Sequence, residues 1–139
     1  MSEERKATVR RFYEIYNSGE FDRLDEIMSD GYVNNDPQSP DPHAAGLEAV
    51  KTELASYRAA FPDLTFTVLE QVAEGDAVTT RWTVTGTHQG DLPDLAATGK
   101  RVTVTGISID HFGADEKMAD GYTNWDTLGM LQQLGAIPE

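Results

Sequence analysis

The sequence predicts an α+β fold in which helices lie over one strongly curved antiparallel sheet, and three observations carry that reading. Helical periodicity dominates residues 3–60, and strand-like alternation takes over from residue 64. Helices first and strands afterwards is not the alternating order of a parallel wound sheet. The alternation also slips phase near Gly106, which reads as a β-bulge. A bulged, twisted sheet of long strands bends around its helices and makes a cone with an open mouth, so an apolar pocket is expected from the bend itself.

The elements follow in order. Residues 3–18 read as a helix with Val9, Phe12, Tyr13, Ile15 and Tyr16 on one stripe, stopped by Asn17-Ser18-Gly19. Phe21, Leu24, Ile27 and Met28 mark a short second helix over about 21–28. Three prolines within 37–42 make 35–46 a loop or lid. A third helix over 46–60 buries Leu47, Val50, Leu54 and Tyr57, and Pro62-Asp63 ends it. Four strands then follow. The first alternates around Leu64, Phe66 and Val68, and the second places Val78, Thr80, Trp82, Val84 and His88 on one face. The third places Val102, Val104, Ile107 and Ile109 inward across the slip, and the fourth runs from Met118 to Asp126. A closing helix holds Leu128, Met130, Leu131 and Leu134.

Composition narrows the function classes. The 139 residues suit a single domain spanning 1–139. With 24 acidic against 11 basic residues, the formal net charge of −13 repels phosphate backbones and anionic lipid, so neither nucleic acid nor membrane is an expected partner. Few of the basic residues are Lys; that balance suits a high-salt cytoplasm or simply an acidic soluble protein. There is no cysteine, hence no disulfide or thiolate chemistry. The N-terminal residues have no apolar signal core and no segment is long and apolar enough to span a membrane, so a cytoplasmic location is expected.

No phosphate loop, nucleophile elbow or zinc-protease motif is present, and the three histidines are scattered, so no cofactor and no metal is expected. The candidates are polar groups on strand positions that alternation points inward. His88 shares parity with Trp82, and His111 shares parity with Ile107 and Ile109. On the last strand Asp120, Tyr122, Asn124 and Asp126 share a face. A carboxyl placed against an apolar pocket has its charged form disfavoured and becomes a useful proton donor and acceptor, with a neighbouring imidazole as partner. Asp126, His111 and His88 are therefore the catalytic candidates, and Tyr13, Tyr16, Asn35, Trp82, Tyr122 and Asn124 the pocket candidates. Plainer readings stand beside these. Asp126 immediately precedes a helix and is a good N-cap; His88 suits a strand rim, His111 a satisfied core or interface position. Tyr13, Tyr16 and Trp82 suit core packing, and Asn34-Asn35-Asp36 before Pro37 suits a turn.

Several segments, in this order, resemble the SnoaL-like polyketide cyclase family, the ester-cyclase-like branch of the nuclear transport factor 2-like (cystatin-like) superfamily. They are Arg11-Phe12-Tyr13-Glu14-Ile15-Tyr16-Asn17, Tyr32-Val33-Asn34-Asn35-Asp36-Pro37, Phe61-Pro62-Asp63-Leu64, Gly86-Thr87-His88-Gln89-Gly90 and Trp125-Asp126-Thr127-Leu128-Gly129-Met130-Leu131-Gln132-Gln133-Leu134-Gly135. The resemblance implies a cone-shaped barrel, paired as a homodimer through its outer sheet face. It also implies a cofactor-free intramolecular aldol reaction on a small apolar polyketide ester. Asp126 matches the family's acid/base aspartate, with His111 near a pocket histidine. The chain departs from the pattern at Asn35, where relatives carry histidine, at 112–118, and at Asp120-Gly121-Tyr122. A cofactor-free cyclase, isomerase or lyase is the first functional expectation. The alternatives are a non-catalytic ligand-binding or dimeric interaction module, and an epoxide-hydrolase-like enzyme.

Overall fold

The computed structural model describes residues 2–138. Helix α1 (Ser2–Ser18) leads through a 3₁₀ turn (Phe21–Glu26) into β1 (Met28–Asn35) and β2 (His43–Ala45). Helix α2 (Leu47–Ala60) precedes four long strands, β3 (Thr65–Glu74), β4 (Ala77–Thr87), β5 (Arg101–Phe112) and β6 (Met118–Trp125), and α3 (Thr127–Gln133) closes the chain. One six-stranded sheet runs in the order β2-β1-β6-β5-β4-β3. Every pairing is antiparallel except β1 with β6, which is parallel. The fold class matches the expectation, with two strands more than the alternation gave. β1 and β2 were missed because Met28 reads as the end of a helix and the proline run hides the short β2.

The helices pack where their stripes dictate. Val9, Tyr13 and Tyr16 are buried on α1, spaced four and three residues apart. The helix ends at Gly19, whose φ of +79° is a left-handed conformation natural to glycine, with its N–H donating to the Ile15 carbonyl at 2.9 Å. On α2, Leu47, Val50 and Leu54 are buried, and Lys51 lays its stem along the same side while its ammonium reaches Asp25 at 3.0 Å. Aromatic rings weld α1 to the sheet: Phe66 lies 4.7 Å from Tyr16, 5.2 Å from Tyr13 and 5.0 Å from Trp82, centroid to centroid.

The bends are not where the sequence placed one. β4 and β5 pair without a slip from Ala77↔His111 to Thr87↔Arg101. Register shifts instead fall between Val68 and Glu70 on β3, at Ala119 on β6 opposite His111 and Phe112, and in β1 between Met28 and Val33. Gly106 is flat strand, and a Cβ there would run into the Trp82 ring. The residue is glycine because the indole lies across it, not because the strand bulges.

Candidate active site

An unbroken β5 fixes which side chains face inward. Val102, Val104, Gly106, Ser108, Asp110 and Phe112 are all buried, whereas Arg101, Thr103, Thr105, Ile107 and Ile109 are exposed. Together with Tyr13 and Tyr16 of α1, Tyr57 of α2 and Trp82 of β4, the β5 residues Val102, Val104, Ser108 and Asp110 line a cavity of about 130 Å³. An apolar cavity of roughly 150 Å³ holds a benzene molecule, so the enclosed part of this open-mouthed chamber takes one ring of a ligand.

Asp110 is the most deeply buried acid of the chamber wall. Its side chain is 4% exposed, and the Tyr32 hydroxyl donates to its Oδ1 at 2.9 Å. Burial pushes the carboxyl up to about 7; the Tyr32 hydrogen bond and the nearby His111 pull it down, and Asp120 adds to the rise. Near neutral pH it exists in both protonation states, as a group that both takes and returns a proton must. Oδ2 takes no hydrogen bond among the described residues, and Asp110 is part of the cavity wall.

Beside it lies a hydroxyl cluster. The Trp82 indole N–H donates to Ser108 Oγ at 3.1 Å, and Ser108 Oγ is 3.0 Å from Thr123 Oγ1. Burial raises Tyr13, the Asp110 charge adds to it, and a hydrogen bond with Ser108 offsets part of the rise. Since the indole can only donate, Ser108 accepts from it and its own proton is free for Thr123 or for an oxygen in the cavity.

Three of the nine sequence candidates, Tyr13, Tyr16 and Trp82, line the cavity. The other six do not, and each has a physical reason. Asp126 is exposed and accepts the Gly129 N–H at 2.9 Å as the cap of α3, so the plainer reading is the one the geometry shows. His88 is fully buried and stacks on Phe61 at 5.3 Å. Its Nδ1 accepts the Thr98 N–H at 3.1 Å, tying down the β4–β5 connection. Its Nε2 is buried without a partner, outside the cavity lining. His111 lies on the outer sheet face, 2.6 Å from Asp120 and edge-on to Tyr122 at 5.9 Å. Tyr122 and Asn124 point outward because the register shift at the start of β6 leaves Gly121, Thr123 and Trp125 on the inner side. Asn35 donates to the Gly121 carbonyl at 3.1 Å and meets His43 at 2.9 Å; its neighbour Asn34 is the one in the cavity wall. Reading β5 without a slip would have put Asp110 on the face of Val102 and Val104, so the signal for the buried acid was present. Tyr32 follows from β1, which the periodicity missed.

Among the described residues no three His, Asp or Glu side chains gather to hold a metal, and no helix is long and apolar enough to cross a membrane.

The comparisons with known proteins agree with this architecture. Residues 6–134 match the family model of the SnoaL-like polyketide cyclases. The chain is 30% identical over 131 residues to aklanonic acid methyl ester cyclase DauD of Streptomyces sp. (strain C5), covering 91% of this chain and 79% of that protein. It is 30% identical over 129 residues to aklanonic acid methyl ester cyclase DnrD of Streptomyces peucetius, covering 91% and 88%. A candidate polyketide cyclase of Acidithiobacillus ferrooxidans superimposes with a TM-score of 0.85 at 29% identity, over 95% of this chain and 94% of that one. The inward curve of the sheet, the aromatic chamber beneath α1 and these matches over nearly the whole length together make the chain a member of the SnoaL-like polyketide cyclase family.

Proposed function

We propose that the chain is a cofactor-free cyclase that closes a ring in a small, largely apolar polyketide-like carbonyl compound, with Asp110 as its acid and base. The single observation that supports this is the cavity-facing carboxyl of Asp110, buried and raised to about 7. As carboxylate, Asp110 takes a proton from the carbon between two carbonyls of the substrate and leaves an enolate. That carbon attacks a second carbonyl of the same molecule, one C–C bond forms, and the resulting alkoxide takes the proton back from Asp110. Atoms and charge balance with no co-reactant. Tyr32 holds the carboxyl, and in this reading the Ser108 and Tyr13 hydroxyls donate to the enolate oxygen. The apolar wall keeps water out. The acid–base role that the family resemblance implied for Asp126 passes in this reading to Asp110, because a carboxyl committed to a helix cap cannot reach a substrate in the chamber.

The test uses aklanonic acid methyl ester, the compound for which the two Streptomyces relatives are named. Asp110→Asn keeps the shape and the Tyr32 contact, so it should fold while cyclisation falls by roughly a thousandfold or more, the scale of a lost general acid–base group. Turnover that survives Asp110→Asn removes the proposal. A carbon-13 titration of the Asp110 carboxyl gives a substrate-free check, with a midpoint near 7 expected.

The same reading includes a homodimer formed through the outer sheet face. There Val72, Ile109 and Tyr122 fall in one cross-strand row with Thr79, and all three apolar side chains are exposed. An apolar row of this kind on a sheet face is a surface that a second copy would cover. The cytoplasm is the matching compartment for a small acidic enzyme without cysteine.

A further inference from the structure

The charges on the cavity wall are all of one sign. Asp36, Glu53 and Asp110 line it, and among the described residues no Lys, Arg or His does. None of the three carboxylates takes part in an ion pair among the described residues. Asp36 is spoken for by hydrogen bonds, from the Trp125 indole N–H at 3.0 Å and the Gln38 N–H at 2.9 Å. Glu53 is held less firmly. It is half-buried, Asn34 Nδ2 stands at 3.5 Å, the far edge of a useful contact, and Ser39 also lies in reach of it. Burial raises its carboxyl, with Asp36 and Asp41 adding to the rise, while hydrogen bonds from Ser39 and Asn34 oppose it. Deeper in the chamber, nine-tenths and more buried, Asp110 lines the same space with a single donor, the Tyr32 hydroxyl, on its carboxyl. Buried charge without a partner is costly, and a ligand of opposite sign is the partner that would relieve it.

The aromatic wall fits such a ligand. Tyr57 and Trp125 meet edge to face at 6.4 Å beside these acids, and both line the cavity. Aromatic faces together with a carboxylate are the usual surroundings of a bound ammonium group. β1 sets the spacing. Its inward residues Tyr32 and Asn34 are two positions apart, roughly 7 Å along the strand. Tyr32 holds Asp110 and Asn34 faces Glu53.

We propose that the ligand of this cavity carries a basic nitrogen: a small amino-carbonyl compound whose ammonium sits between Glu53 and the Tyr57–Trp125 rings while its carbonyl part reaches Asp110. This rests on the cavity being the substrate site, and it adds the charge of the substrate.

Three probes of one ring and matched size decide it by calorimetry near neutral pH: benzylammonium, benzyl alcohol and benzoate. Benzylammonium should bind the wild type roughly tenfold or more tightly than benzyl alcohol, as a half-buried carboxylate partner would give, and benzoate should not bind measurably. Glu53→Gln should erase the preference and leave benzyl alcohol unchanged. Equal affinities for benzylammonium and benzyl alcohol in the wild type would overturn the inference and leave the cyclase reading standing. So would a preference that Glu53→Gln leaves intact, because Glu53 is then not the partner of the ammonium. Failure of all three probes to bind would overturn the inference together with the cavity as a ligand site, whereas the wild-type comparison alone reads the preference even if the variant folds poorly.

Discussion

The two faces of β5 carry opposite chemistries at the same end of the strand. On the inner face stand Ser108 and Asp110, buried and polar; on the outer face stand Ile107 and Ile109, 49% and 38% exposed. The usual rule, apolar in and polar out, is inverted over these four residues and obeyed over Val102 to Thr105. Buried polar groups that face a void and exposed isoleucines in an ordered row are both departures a packed core would not tolerate or require. The inversion therefore sets two different surfaces back to back, a chamber with its own acid inside and an exposed apolar row outside.

The largest expected effect breaks the inner half of that comparison. The native state keeps the Asp110 proton up to about pH 7, while an unfolded chain releases it near the ordinary value of 3.8. Between those values the native state binds more protons, so this group's contribution to stability is full at low pH and is lost as pH rises through 7. The shift is about three units at about 1.4 kcal/mol each, so at most roughly 4 kcal/mol is in play. Urea denaturation of wild type and Asp110→Asn from acid to mildly alkaline pH should show the variant gaining on the wild type as pH rises. A stability difference that stays flat across that range would mean the carboxyl is solvated.

Next in size comes Gly106→Ala, which tests the flat course of β5. The new methyl meets the Trp82 ring, so the indole must tilt and the Trp82–Ser108 hydrogen bond must lengthen. Overpacking of this kind costs about 1–3 kcal/mol, read from the denaturation midpoint. A bulge at Gly106 would have left the substitution nearly silent. On the outer face Ile109→Lys should cost the folded chain under about 1 kcal/mol, since the side chain is exposed. It should nevertheless shift the sedimentation coefficient from dimer to monomer if a second copy covers this row. An unchanged coefficient would return the outer face to plain solvent exposure.

Most of the fold was legible because its signals are local. The stripe of Val9, Tyr13 and Tyr16, the stop at Gly19 and the alternation of Val78, Thr80 and Trp82 each state their structure within a few residues. The candidate site was half legible. Aromatic residues on an apolar stripe end up in the cavity wall whether they serve as core or as lining, which is why Tyr13, Tyr16 and Trp82 were placed by periodicity alone. Asp110 was not, because a rule that sorts residues by apolarity keeps Ile107 and Ile109 inside and must invent a slip at Gly106 to do so. Met118 misled in the same way. It is inward, but the register shift beside it turns Asp120, Tyr122 and Asn124 outward, and no local pattern announces that shift.

The smallest expected effect separates the two aspartates that the sequence and the structure favour. Asp126 accepts one backbone N–H at the start of α3 and faces solvent. Asparagine accepts the same bond, so Asp126→Asn should change stability by only a few tenths of a kcal/mol, whereas Asp126→Ala should cost about 1 kcal/mol through loss of the cap. Both variants should keep whatever turnover the wild type shows on aklanonic acid methyl ester, and Asp110→Asn should lose it. If Asp126→Asn instead folds normally and loses turnover, α3 must open during the reaction to release that carboxyl into the chamber. The acid and base would then be the residue of the cap and not the one behind Tyr32.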